Sequence, residues 1–242
     1  MNYERLTSEN AALLMVDHQT GLANGVQTQT PPVFINNVKA LATLGKNYKL
    51  PTIITTSFAT GPNGPIMPIV EQTLPNATIV HRPGEINAWD NPDFVKAVEK
   101  IGRKKLLIVG ISTEVCVALV SLSAVNAGYE VYAVLDASGT WDKLVEDAAI
   151  ARMVQAGIIP ITWCAVGAEL LGDWRSPPAR RMGRLWQNIC HSRATTTLVS
   201  SLPKPAAKPA NFSTSGHAPD SSKKSLCNPY SERLSVVKQL RY

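Results

Sequence analysis

Six short apolar runs rich in Val and Ile constrain this 242-residue chain more than any other feature. They are AALLMVD (11–17), LPTIITTSF (50–58), ATIVHRP (77–83), KKLLIVGIS (104–112), YEVYAVLDAS (129–138) and IIPITWC (158–164). Near-continuous runs of this kind suit strands buried on both faces, which is the setting of a parallel sheet. Helical periodicity fills the gaps, predicting helices over 32–47, 91–101, 113–127, 142–156 and 166–173, with Gly128 and Gly157 placed to end two of them. The Pro-rich stretch 61–75 reads as loop with one short helix. Strand–helix alternation over this length predicts an α/β domain, residues 1–175, with a parallel sheet of six strands covered on both faces.

Charge divides the chain at the same place. Residues 1–175 hold 13 Lys/Arg and 16 Asp/Glu, whereas residues 176–242 hold 11 Lys/Arg and only 2 Asp/Glu. The net charge of +6 therefore belongs to the last quarter, where Pro, Ser, Thr, Lys and Ala lack periodicity. That composition predicts a basic, low-order C-terminal tail, with one short helix around 179–188. A basic tail can touch nucleic acid, although a solvated extension is the favoured expectation. No apolar run is long enough for a membrane span, and the N-terminal MNYERLTSEN lacks the plan of a signal peptide, so a cytoplasmic protein is expected. The four cysteines, at 116, 164, 190 and 227, form no CxxC pair, which favours free thiols over a disulfide framework.

In open α/β sheets function collects at the carboxyl ends of the strands. Asp17 follows strand one, Arg82 closes strand three, and Cys116 stands about one turn into the helix after strand four. Each has an ordinary reading: a capping carboxylate, a surface cation and a small core residue. Each also has a chemical one. Desolvation on an apolar floor raises an Asp pKa and makes it a better base. A thiol at a helix mouth, capped by Ser112 or Thr113, feels unpaired N–H groups that lower its pKa and can hold an oxyanion. Strands one, three and four are expected to be neighbours, so acid, cation and thiol would meet in an arrangement suited to covalent acyl transfer. DHQTGL after strand one carries no GxGxxG, which disfavours dinucleotide binding.

Five ordered motifs, LLMVDHQTGL, TTSFATGPNGP, RPGEINAWDN, VGISTEVCVALVSLSA and VLDASGTW, resemble the isochorismatase-like cysteine hydrolases, and within them the YcaC-like subgroup. The resemblance spans about residues 5–175. It implies a three-layer α/β/α sandwich with a doubly wound six-stranded parallel sheet and a homo-oligomer. It also implies a catalytic triad of Asp17, Arg82 and Cys116, the arginine replacing the lysine of many relatives. A cis peptide is implied at Ser112–Thr113, where with Cys116 it would aim backbone N–H groups at a substrate oxygen. The expected activity is cleavage of a small-molecule amide, or related C–N or ester bond, through a thioester. The alternatives are vinyl-ether hydrolysis as in isochorismatase proper and a catalytically silent oligomeric member. Gln19, Phe58, Ile86, Asn87 and Trp89 are expected to line the substrate pocket. Nicotinamidases of this superfamily bind a metal through Asp-x-His after strand two. Here TTSF stands there, and neither His18 nor His81 has a partner at metal spacing, so no metal or other cofactor is expected.

Similar proteins continue after DWR with a short helical segment, which SPPARR does not resemble. Permitted codons for WQNICHSRATTT (186–197), read two nucleotides later, encode AEYMPQSRNYD, which is similar to that segment. Residues from about 176 onward are thus expected to reflect a shifted reading frame or a mis-assigned exon.

Overall fold

A computed structural model of the chain describes residues 3–190. Its strands are β1 (Ala11–Val16), β2 (Thr52–Ser57), β3 (Thr78–Arg82), β4 (Lys105–Gly110), β5 (Glu130–Val134) and β6 (Ile159–Ile161). Its helices are α1 (Thr20–Ala23), α2 (Pro31–Asn47), α3 (Pro68–Thr73), α4 (Pro92–Ile101), α5 (Ala118–Asn126), α6 (Lys143–Gln155), α7 (Trp163–Leu171) and α8 (Ala179–Cys190). All strands pair in parallel, in the order β3-β2-β1-β4-β5-β6.

The period-two alternation of the central strands builds two cores. Leu13 and Met15 of β1, with Leu107 and Val109 of β4, face Phe34, Val38 and Leu41 of α2 and Val166 and Leu170 of α7. Ala12, Leu14 and Val16, with Leu106 and Ile108, face Phe94 and Val98 of α4, Val120 and Ala124 of α5, and Met153 of α6. This is the three-layer α/β/α sandwich that the near-continuous apolar runs require: both faces of β1 and β4 are covered, and Lys105, at the start of β4, is the one polar residue along them. Asn91 caps α4 through the amides of Asp93 and Phe94, and Gly102, at φ 66°, ends it in the left-handed region. Thr162 caps α7 through Ala165, so that helix begins at Trp163, earlier than its apolar periodicity indicates.

The strand order corrects one expectation. Strands one and four are neighbours, but β2 lies between β1 and β3, so Arg82 starts two strands away from Asp17. Crossover order cannot be read from strand sequence, because each buried strand carries much the same pattern.

The last described element is the helix expected after the sheet. Helix α8 covers the short helix expected around 179–188 and packs on the α2 and α7 side. There Ala179 and Met182 are buried and Trp186 meets Trp174 edge-to-face at 5.0 Å. Apolar residues at helical spacing (Met182, Leu185, Trp186, Ile189) are interleaved with the arginines of this helix. The tail expected beyond this helix lies outside the described residues.

Candidate active site

Asp17 stands where β1 gives out. Its amide still pairs with Thr55 O at 2.9 Å as if the strand continued, but its φ of 56° turns the chain away and lifts the carboxylate over the sheet end. A non-glycine residue in the left-handed region is uncommon and marks a place where surrounding contacts fix the backbone. The side chain is 1 % exposed.

Arg82 reaches it from the edge of the sheet. Its guanidinium crosses above β2, donating Nε–H to Thr55 Oγ1 at 3.0 Å and Nη2 to both oxygens of Asp17, at 2.5 and 2.6 Å. Nη1 donates to the carbonyl of Glu85, which also accepts from Ser57 Oγ at 3.3 Å. Arg82 is fully buried at its side chain, so its charge is matched by Asp17 rather than by water.

Cys116 comes from the far side of β1. After β4, Ile111 N–H still bonds Val16 O at 3.2 Å, and Thr113 N–H bonds Gly139 O at 3.1 Å. Between them the Ile111–Ser112 peptide is cis, so the cis bond lies one residue before the expected Ser112–Thr113. Ile111 still pairs with its neighbours as strand, whereas Thr113 already opens the helical turn, and the reversal falls at the junction. Gly110 makes this approach possible: a Cβ there would sit 2.3 Å from Val16 O, a backbone atom that cannot give way.

The turn carrying the thiol, Thr113–Val117, is π-helical, with Val117 N–H on Ser112 O at 3.1 Å and Ala118 N–H on Thr113 O. Such wide turns recur at functional sites. Neither Ser112 nor Thr113 caps it with a side chain, contrary to expectation. Thr113 N–H is committed to Gly139, and the Ser112 backbone lies near enough to the sulfur to favour its anion. In this π-helical turn the first i→i−5 bond runs from Val117 N–H to Ser112 O, so the Cys116 amide stands one residue before that ladder begins.

The Cys116 thiol lies beside the Asp17 carboxylate, near enough for each to shift the ionisation of the other. Burial pushes the thiol well above its usual range, and the negative charge of Asp17 adds to this; the Ser112 backbone contact and Arg82 oppose it. The expected helix-mouth lowering is thus outweighed, because desolvation and a neighbouring anion act on the sulfur more strongly than a single first turn. Burial also raises the Asp17 pKa, against the Arg82 charge, its hydrogen bonds and the thiol. The resting arrangement is a thiol beside a carboxylate clamped by a guanidinium.

The expected pocket residues fall into two groups. Phe58 and Ile86 are 50 % and 64 % exposed beside Arg82: Phe58 N–H bonds Arg82 O, and Ile86 follows Glu85. Phe58, Thr60, His81, Arg82 and Pro83 line one cavity. The other three are tied into structure. Gln19 is fully buried, its amide bonded to the Ser57 amide and to the carbonyls of Ser57 and Gly64, so it braces the loop after β2. Asn87 caps the short turn at Trp89 and reaches Ser123 Oγ at 3.0 Å. Trp89 packs edge-on against Phe94 and Tyr129. Two residues with no expected role prove central: Thr55, which contacts both Arg82 and Asp17, and Glu85, whose carbonyl holds Nη1. Their places in the site depend on β2 lying under the arginine, which the sequence leaves open.

Around this centre His18 is neutral, its pKa lowered by burial to about 4, with Nε2 against Ala137 O at 3.0 Å. Ser138 Oγ links Gly110 N–H to Val134 O, and Asp136 holds the Trp163 amide at 2.9 Å, so this loop ties β4, β5 and α7 together. Among the described residues no group of three or more His, Cys, Asp or Glu side chains is placed to hold a metal ion, and no helix is long and apolar enough to cross a membrane.

Comparison with known proteins identifies the family. Residues 11–165 match the family model of the isochorismatase domain. The probable hydrolase YcaC of Escherichia coli K12 is 51% identical over 174 residues, 72% of this chain and 84% of that protein. A crystal structure of E. coli YcaC, described as an octameric hydrolase of unknown specificity, superposes with a TM-score of 0.78 at 47% identity, covering 83% of this chain and 97% of that one. YcaC from Pseudomonas aeruginosa, solved with hexane-2,5-diol and covalent acrylamide, gives 0.77 at 47% identity, with 83% and 98% covered. With the motifs, the sheet order and the family match in agreement, this chain belongs to the isochorismatase family, in its YcaC-like subgroup.

Proposed function

We propose that the protein is a cysteine hydrolase that cleaves a small-molecule amide. The observation that carries this reading is the Cys116 thiol beside a buried carboxylate that Arg82 holds by both oxygens. A raised thiol pKa keeps the proton on sulfur until a substrate carbonyl arrives, so Asp17 acts as a general base within the attack itself.

In the first half-reaction the thiol proton passes to Asp17 as sulfur bonds to the carbonyl carbon. The oxyanion forms against the Cys116 amide, the donor left available by the engagement of Thr113. The C–N bond then breaks, and Asp17 returns its proton to the departing nitrogen. In the second, a water loses a proton to Asp17 and adds to the thioester. The C–S bond breaks, the carboxylic acid leaves and the thiol regains its proton. Arg82 favours the anionic form of Asp17 between proton transfers and contributes no proton itself. Relatives support a hydrolase: YcaC of E. coli carries that description, and YcaC of P. aeruginosa bears covalent acrylamide, an amide that is also reactive toward thiols. The E. coli relative is octameric, and a homo-oligomer is proposed here too.

A panel of small amides, assayed for ammonia or amine release, tests the reaction, with isochorismate included to detect vinyl-ether cleavage. Cys116→Ala and Cys116→Ser are expected to lose turnover while keeping the wild-type melting curve. Retained turnover in Cys116→Ala overturns the mechanism. Light scattering on the eluting protein tests the oligomer.

A further inference from the structure

The Asp17–Arg82 pair joins strands that do not touch, and a single residue of the intervening strand contacts both partners. Thr55 sits opposite Val16 in the β1–β2 ladder and opposite Val80 in the β2–β3 ladder. Its carbonyl accepts the Asp17 amide at 2.9 Å, and its hydroxyl accepts Arg82 Nε–H at 3.0 Å. It is fully buried, so no water competes for either bond. We infer that Thr55 is a positioning residue that sets where the Arg82 charge falls on Asp17, and through Asp17 how readily Cys116 gives up its proton.

The physical argument is one of degrees of freedom. Arg82 has a long side chain and must hold a guanidinium two strands from its own backbone. Nη2 fixes it to Asp17 and Nη1 to the Glu85 carbonyl, both at the far end of the group. The Thr55 hydroxyl fixes the near end, at Nε, and three contacts on three sides define the plane of the guanidinium. Without the hydroxyl, Nε–H is buried without an acceptor and the group can tilt, which weakens the cation's hold on the carboxylate. The charge of Asp17 then acts on the sulfur with less compensation, and the thiol holds its proton more tightly.

Few other charges can take over this role. His18, next to Asp17, is neutral and bonded to Ala137. The Glu85 carboxylate is turned outward to Asn91 at 3.1 Å, and His81 is bonded to Thr56 at 2.9 Å. Glu114, in the thiol's own turn, is an anion and cannot replace a cation.

This inference rests on the cysteine-hydrolase reading, and its test is chosen to fail separately from it. Alkylation of Cys116 by iodoacetamide, followed by peptide mass spectrometry across pH, needs no substrate. Thr55→Val removes the hydroxyl at nearly constant volume, and Thr55→Ser retains it. Thr55→Val is expected to move the alkylation midpoint up by about one pH unit, slowing the reaction about tenfold at a given pH below it. Thr55→Ser is expected to follow the wild-type curve, and Thr55→Ala repeats the measurement if the valine variant is insoluble. An unshifted curve for the hydroxyl-less variant overturns the inference, as does a serine variant shifted equally. If Cys116→Ala retains turnover, the nucleophile reading fails, whatever these curves show.

Discussion

Arg82, on the edge strand β3, donates Nη2 to both oxygens of Asp17, the residue that follows β1, across the full width of β2. The pair is buried at both ends, so its two halves depend on each other. Arg82→Met leaves a carboxylate in a dry site, and a buried charge without its partner costs about 3–5 kcal/mol. Urea unfolding should show a loss of that order, and a loss under 1 kcal/mol would mean that water reaches Asp17.

Asp17→Asn separates base from charge. The anion that raises the Cys116 pKa disappears while Arg82 stays, so the thiol should ionise at lower pH than in the wild type. Turnover should nonetheless fall at least about 100-fold, because the general base is gone. Alkylation curves and amide assays on the same preparation check both halves; a midpoint that moves upward contradicts the geometry.

His18 makes stability depend on pH. Its folded pKa is near 4 against 6.5 for a free imidazole, so the unfolded chain binds the extra proton first. The stability it supports is complete above pH 6.5 and is lost as pH falls toward 4, by about 3 kcal/mol for a shift of this size. In His18→Gln the difference in urea midpoint between pH 7 and pH 4.5 should shrink. An unchanged difference would rule out a buried neutral imidazole.

Met182 tests whether α8 belongs to the folded domain. It is buried against Gly167, where an added Cβ would lie 2.0 Å from its Cε. Met182→Ala should cost about 2–5 kcal/mol in urea unfolding, as for other buried Met side chains. A loss within 0.5 kcal/mol would mean that the helix contributes little to the core.

The coding DNA addresses the residues beyond. In the alternative frame, the codons for residues 186–197 should encode AEYMPQSRNYD. Any other peptide in that frame eliminates the shifted-frame reading.

The apolar runs and their spacing were sufficient for six parallel strands in a three-layer sandwich, because burial on both faces makes a strand's apolar run nearly continuous. They also placed Asp17, Arg82 and Cys116 at strand ends, since function in an open sheet gathers there. What only the tertiary structure decided follows from strand order and backbone path. With β2 between β1 and β3, Arg82 must cross over Thr55. The π-helical turn commits Thr113 to Gly139, and the same packing absorbs Gln19, Asn87 and Trp89 into the framework. Burial, a property of the assembled fold, reversed the expected direction of the Cys116 pKa. Local pattern fixes which face a side chain takes, whereas distances between strand ends, and the water excluded there, exist only once the sheet has its order.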